Sequence, residues 1–270
     1  MYSFSYHRPA SIEQASEMLT ARPEAKLLAG GQSLVASMKL RLSEPSDLID
    51  LGRIASLSGI HFGSERVTVG AMTRHAEVAA SPELRAVLPS LASLAGGIAD
   101  RMVRNMGTLG GSVANNDPSA DYPSAVLALD ATVQTSRRRI AADDFFLGMF
   151  ETALEPGEII TAIEFCIPRR AAYMKFKNPA SRYAVVGVFV ADFGSSVRVA
   201  VTGAGPVVFR VHEMEEALVS QFSPEAIETI RVPADGLNAD IHAGADYRAE
   251  LVTVMAMRAV ERARGETAEG

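Results

Sequence analysis

Arg104-Asn-Met-Gly-Thr-Leu-Gly-Gly-Ser-Val-Ala-Asn-Asn-Asp-Pro-Ser-Ala-Asp-Tyr122 packs small, hydrogen-bonding residues around the adjacent glycines Gly110 and Gly111. Lacking a β-carbon, these glycines reach backbone conformations closed to other residues and can bring N–H groups against a ligand. Consecutive N–H groups directed into one concavity bind anions, so the stretch predicts a phosphate-holding loop. A second stretch of the same character, Leu28-Ala-Gly-Gly-Gln-Ser-Leu34, lies upstream. Two such cradles in one chain point to one long diphosphate ligand.

A glycine pair is a weak signal alone. With 21 glycines in 270 residues, about one or two adjacent pairs arise by chance at ordinary usage, and Gly96-Gly97 reads as a plain helix end. The other two pairs stand out by their neighbours, because Gln32, Ser33, Thr108, Ser112 and Asn115 place polar side chains beside the turns. Neither loop carries the Gly-Lys-Ser/Thr of a Walker A motif, and neither matches G-x-G-x-x-G. The common nucleotide folds are therefore not predicted.

Around the loops the pattern alternates short strands and helices. Ser11-Ile-Glu-Gln14 reads as a capping box opening a helix, and Lys26 to Ala29 as a buried strand running into the Gly30-Gly31 turn, with a helix from Ser33. Leu48 to Leu51 and Val67 to Ala71 read as strands. Thr73 predicts an N-cap for a helix through Val78, and Ser81-Pro82-Glu83 a second helix start, continuing from Leu84 to Leu94. Ala125 to Val133 fits a helix or a buried strand equally well. Ala142 to Phe146 and Leu154 to Glu158 read as turn-rich connections, and Ile159 to Ile167 as a strand ahead of Pro168-Arg-Arg170, where a domain boundary is expected. Beyond it, Tyr183 to Phe193 and Val197 to Val201 read as paired strands around Gly194-Ser-Ser196, with Val207 to Val211 a third. Helices follow at Glu213 to Ser220, after Ser223-Pro224, and over Tyr247, Leu251, Val254 and Met255, which share one apolar face. The tail from Arg262 to Gly270 is expected to fray. Strands followed by helices describe an α+β unit.

The formal charge of -6 offers no electrostatic footprint for nucleic acid, and no Lys/Arg run reads as a membrane patch. The sole cysteine, Cys166, leaves no disulfide within the chain and no cysteine-held metal or cluster. The N-terminus lacks the apolar segment of a secretory signal, and the longest apolar stretch, Ala184 to Ala191, is too short to cross a bilayer. A cytoplasmic, soluble protein without an integral membrane segment is expected. His61 and His75 are isolated and read as surface residues.

Ala29-Gly-Gly-Gln-Ser-Leu34 with Arg41-Leu42, Pro45 and Leu48-Ile-Asp-Leu51, then Arg104-Asn-Met-Gly-Thr-Leu-Gly-Gly-Ser112 with Asp117-Pro118 and Asp121, resemble the FAD-binding medium subunit of molybdenum hydroxylases, the aerobic carbon monoxide dehydrogenase and xanthine dehydrogenase family. Further matching motifs are Tyr6-His-Arg-Pro-Ala-Ser11, Val69-Gly-Ala-Met-Thr73, Asp144-Phe-Phe146, Pro156-Gly-Glu158 and the Tyr247-Arg248 helix, so the resemblance spans nearly the whole chain.

The resemblance implies an α+β fold. A two-subdomain FAD-binding lobe of the vanillyl alcohol oxidase and xanthine dehydrogenase kind covers residues 1–170, divided at about residue 55, and a smaller α+β domain of antiparallel sheet plus helices covers 171–270. It implies noncovalent FAD, its diphosphate held by Leu28, Ala29, Gly30, Gly31, Gln32, Ser33 and Leu34 on one side and Thr108, Gly110, Gly111 and Ser112 on the other. Ala114 and Asn115 would line the flavin wall, Asp121 would supply a nearby carboxylate, Ile160 would border the adenine or ribose end, and Lys175 would lie near the cofactor.

Three of these residues have competing readings, and Ile160 also reads as a core residue. Asp121 also suits the N-cap of a helix from Tyr122, and Lys177, one strand period from Lys175, suits the cofactor-proximal lysine equally. The implied partners are a large subunit with molybdenum-pterin and a small subunit with two [2Fe-2S] clusters, in a dimer of heterotrimers. The implied role is electron transfer, with no catalytic residue and no metal in this chain. Rival readings are a self-contained flavoenzyme and an assembly subunit that has lost FAD. Asn178-Pro-Ala-Ser-Arg-Tyr183 departs from the family pattern.

Overall fold

A computed structural model describes residues 1–265. The N-terminal part holds a three-stranded parallel sheet in which Asp47–Asp50 lies between Ser5–His7 and Lys26–Leu28. Parallel strands need crossover connections, here the Ile12–Ala21 helix from the first edge strand to the other and the Leu34–Lys39 helix back to the central strand. Ser11 caps the Ile12–Ala21 helix by accepting from the Gln14 N–H at 3.2 Å, but the predicted capping box is only half formed, because Gln14 Oε1 accepts from the Ala10 N–H at 2.8 Å rather than from the Ser11 N–H. The Lys26–Leu28 strand forms an edge and is not fully buried, contrary to the reading of a buried strand, because nothing pairs beyond it.

The second sheet is antiparallel, with spatial order Ile60–Phe62, Arg66–Gly70, Ile160–Cys166, Thr132–Thr135, Arg139–Ala141. Helices cover it. Ser81 caps Pro82–Val87 by accepting from the Leu84 N–H at 3.1 Å. The single helix expected over Leu84 to Leu94 is two, because Pro89 forces Leu88 out of the helical region (φ -142°, ψ 66°) and a new helix runs Pro89–Gly96. Thr73 does not cap the next helix: its hydroxyl joins Gly59 through both backbone groups, and His75–Ala80 begins after Arg74. The ambiguous Ala125 to Val133 stretch splits into the end of the Tyr122–Ala128 helix and the Thr132–Thr135 strand.

The third sheet, also antiparallel, orders Arg170–Lys177, Ala184–Asp192, Val197–Thr202 and Phe209–Arg210. The predicted hairpin around Gly194-Ser-Ser196 forms in register Asp192 to Val197, and the strand that holds Lys175 and Lys177 runs Arg170–Lys177 with irregular burial. The segment after Ser223-Pro224 is only a 3-10 turn, Pro224–Ile227. The Ala245–Gly265 helix buries Leu251 and Met255 but leaves Tyr247 and Val254 partly exposed, and it stays helical beyond Arg262, where fraying was expected; residues 266–270 lie outside the described ones.

The largest apolar core spans residue 170. Val69, Leu91, Tyr122, Val133 and Phe165 share it with Ala171, Phe189 and Ala200. Polar links also cross, since Arg198 pairs with Asp130 and Asp143; within the third sheet Arg170 pairs with its strand partner Asp192 at 2.8 Å, beside the Phe222 ring. The third sheet is thereby fixed against the Pro89–Gly96 and Tyr122–Ala128 helices. Among the described residues no helix is long and apolar enough to cross a membrane.

Candidate cofactor site

The two glycine stretches meet. A β-carbon on Gly30 would fall 2.2 Å from the Met106 carbonyl oxygen and 2.6 Å from Gly107 Cα, and one on Gly111 would fall 3.3 Å from Ala29 Cβ. Such distances leave no space for a side chain at Gly30, so glycine is what lets the turns touch. Gly31 adds a positive φ of 70°, which only a residue without Cβ adopts freely. Beside this junction opens a cavity of about 700 Å³, within the range of cofactor sites.

All the residues expected to meet a cofactor, except Leu28 and Lys175, line this cavity: Ala29, Gly30, Gly31, Gln32, Ser33 and Leu34 from one turn, Thr108, Gly110, Gly111, Ser112, Ala114 and Asn115 from the other, with Asp121 and Ile160. Leu28 instead packs its side chain near Gly31. Lys175 stands behind the wall.

The two turns differ in donors. Gln32 and Ser33 lead into the Leu34–Lys39 helix, where Ser33 makes no side-chain cap. The N–H groups of Gln32, Ser33 and Leu34 donate to no backbone acceptor, and those of Ser33 and Leu34 are orphan donors of a helix start. The stretch around Gly110-Gly111 is not the open loop its sequence suggests. It is two short helices, Arg101–Met106 and Leu109–Asn115, joined at Gly107-Thr108. The Leu109 N–H donates to Thr73 O at 3.0 Å, the Gly110 N–H to Ala71 O at 2.8 Å and the Gly111 N–H to the Thr108 hydroxyl at 3.2 Å. The expected run of free amides is thus spent within the chain. Gly110 is glycine because its β-carbon would fall 2.5 Å from Ala71 Cβ, a packing reason.

Asp121 is buried and does not cap the Tyr122–Ala128 helix through its side chain. Its carboxylate accepts from the Tyr173 hydroxyl at 2.5 Å and pairs with Lys175 Nζ at 2.9 Å. Burial pushes the Asp121 carboxyl above the ordinary carboxylate range, opposed by the Lys175 charge and the Tyr173 hydrogen bond. Lys175 Nζ also donates to Gly97 O and Arg182 O, both at 3.1 Å, whereas Lys177 is exposed. Lys175 is therefore the lysine joined to the cavity wall.

Several wall residues were not read from the sequence. His75 is 5% exposed rather than on the surface; burial and the Arg104 charge lower its pKa to about 4. His61 is exposed, as expected. Glu158 also borders the cavity. Burial alone would raise its pKa, but Arg138 at 3.0 Å, the Glu155 N–H at 2.8 Å and Thr135 at 2.7 Å bring it down to about 2. Ala180, Ser181, Arg182 and Tyr183, from the stretch that departs from the family pattern, close the cavity from the third sheet. The Asn178 side chain accepts from the Ala180 and Ser181 N–H groups, and Arg182 takes a positive φ of 63°. The Val69-Gly-Ala-Met-Thr73 motif held the available signal for this region, since Ala71, Met72 and nearby His75 line the cavity.

The family model for the FAD binding domain in molybdopterin dehydrogenase matches residues 2–169. The nicotine 6-hydroxylase medium subunit of Paenarthrobacter nicotinovorans is 38% identical, over 97% of this chain and 98% of that protein. The carbon monoxide dehydrogenase medium chain of Hydrogenophaga pseudoflava is 36% identical over 96% of each. Among solved structures, reconstituted CO dehydrogenase from Oligotropha carboxidovorans superposes with a TM-score of 0.89 at 35% identity, covering 98% of both chains. Quinoline 2-oxidoreductase from Pseudomonas putida 86 gives 0.88 at 29% identity, again over 98% of both.

Proposed function

This chain belongs to the molybdopterin dehydrogenase FAD-binding family as a medium subunit, and from that membership we propose that it is the electron-transfer subunit of a multi-subunit molybdenum hydroxylase, relaying electrons from a partner's [2Fe-2S] clusters through FAD to an external acceptor. The meeting of the two glycine turns beside a cavity of about 700 Å³ carries this reading. The residues present fit FAD: free amides at Gln32 to Leu34 suit a diphosphate, and the Gly30 contact closes the cradle. We assign the diphosphate to the Ala29 to Leu34 turn, with Thr108, Gly111 and Ser112 opposite. Asp121, Ala114 and Asn115 form the flavin side and Ile160 the nucleoside side. Lys175 acts through Asp121.

When bound, FAD interconverts one-electron and two-electron steps, while the protein binds, orients and tunes it. In this reading, the chain's own residues exclude water and fix the wall: Lys175 holds Asp121 and the Arg182 carbonyl together, and Glu158 is committed to Arg138. No residue acts as acid or base toward the organic substrate, which is oxidised at a molybdenum-pterin centre in a large partner subunit. A small subunit with two [2Fe-2S] clusters, a dimer of heterotrimers and a cytoplasmic location belong to the same proposal. So does a division near residue 170, which the family match over 2–169 supports.

Anaerobic mixing of the FAD-loaded chain with its chemically reduced iron–sulfur partner tests the role. Bleaching of the flavin band is expected. A flavin that stays oxidised, or a chain that turns over an organic substrate alone, would contradict it.

A further inference from the structure

We propose that His75 is a cofactor-positioning residue whose Nε2–H donates a hydrogen bond to a diphosphate oxygen of the bound flavin nucleotide. The inference rests on the FAD reading of the same cavity and adds to it a residue and a protonation pattern.

His75 opens the His75–Ala80 helix and lines the cavity. Its backbone N–H donates to Gly107 O at 2.9 Å, which pins it beside the second glycine turn. A β-carbon on Gly107 would fall 2.6 Å from His75 Nε2, while one on Gly30 would fall 2.6 Å from Gly107 Cα. The Nε2 edge therefore packs on Gly107, which itself packs on Gly30 where the two turns meet.

The other edge of the ring is closed. Nδ1 is sealed from solvent with no hydrogen-bond partner, and the ring lies against Tyr122 with centroids 5.3 Å apart. A neutral imidazole carries one N–H and one lone pair. Burying an unsatisfied lone pair is the more common and milder defect than burying an orphan N–H, so Nδ1 holds the lone pair and Nε2 the proton. The ring is neutral because burial and the neighbouring Arg104 oppose its protonation. Nearby backbone donors cannot substitute, since the Leu109, Gly110 and Gly111 amides are already engaged.

A bare packing role for His75 gives different results in three variants. H75F keeps a flat ring and loses the donor, H75N offers an amide donor near the Nδ1 position, and H75Q offers one near Nε2. FAD and ADP should each bind about 10- to 100-fold more weakly to H75F and H75N, the size of a hydrogen bond to a charged group, with H75Q close to the wild type. Wild-type affinity in H75F overturns the proposal, and weakened FAD binding with unchanged ADP binding overturns the diphosphate assignment. In the wild type, nitrogen-15 spectra of histidine should show a protonated Nε2 whose resonance moves when FAD is removed. A proton on Nδ1, or an Nε2 indifferent to FAD, overturns the proposal even if H75F fails to fold. Failure of the wild-type chain to bind FAD at all would instead overturn the cofactor reading.

Discussion

Lys175 Nζ lies 2.9 Å from Asp121 Oδ1, joining a strand of the third sheet to the residue preceding the Tyr122–Ala128 helix. The lysine side chain is 9% exposed and the aspartate 5%, so neither charge has ready access to water. The same ammonium holds Gly97 O and Arg182 O, and so ties the stretch closing the cavity to the main body of the chain.

Breaking that pair should be costly in a pH-dependent way. Removing one partner of a buried ion pair typically costs about 3–5 kcal/mol. D121N strands the Lys175 ammonium and should approach that cost at neutral pH. K175M strands the carboxylate, which burial already inclines toward protonation, so its penalty should shrink as pH falls and the aspartate becomes neutral. Urea denaturation of both variants at two pH values checks this; equal K175M penalties at both would contradict it.

His75 and Glu158 set two separate acid-sensitive windows. The His75 pKa is depressed from 6.5 to about 4, so the unfolded chain binds its proton first and stability falls as pH drops through that interval, by about 3 kcal/mol. The Glu158 pKa is depressed from 4.5 to about 2, so its contribution is full above 4.5 and is lost toward 2. That contribution is about 1–2 kcal/mol once solvent screening at the part-exposed Arg138 is allowed for. Stability curves should lose the upper slope in H75F and the lower slope in E158Q. A wild-type slope in either variant would refute the assignment.

The contact of the glycine turns predicts a cofactor defect without unfolding. G30A places a methyl 2.2 Å from the Met106 carbonyl oxygen. Overpacking of this kind costs about 1–3 kcal/mol, equivalent to about 5- to 150-fold in affinity where it falls on the bound state. FAD retention should drop by that factor, and further in G111V, whose first carbon would sit 2.8 Å from the Thr108 hydroxyl. G244A, at a position with open space around it, should bind FAD normally. Flavin content after gel filtration, read beside circular dichroism, distinguishes these outcomes.

What the sequence revealed follows the range of the forces involved. Local chemistry was readable: Ser11 and Ser81 cap their helices, Gly194-Ser-Ser196 turns a hairpin, and the two glycine pairs lie on one cavity. Long-range partners were not. The Gly110 amide reads as free until Ala71 is seen to accept from it, and His75 reads as a surface residue until Tyr122 and Gly107 enclose it. Alternation alone puts Lys175 and Lys177 on one strand face and cannot choose between them, whereas the structure has a bulge between Phe176 and Lys177 and pairs Lys175 with the Asp121 carboxylate across the fold. The family motifs located the cavity, but the engaged amides show that the two turns play unequal parts in it.

In the proposed role this chain carries FAD and does not oxidise organic substrates by itself. The most direct test of that role is the visible spectrum and extracted flavin content of the purified chain, with turnover assayed in the absence of partner subunits. One FAD per chain, released intact by denaturation, together with no turnover of carbon monoxide, purine, N-heterocycle or aldehyde, is the predicted result. A chain that takes up no FAD, or one that oxidises any of these substrates alone, would contradict the account.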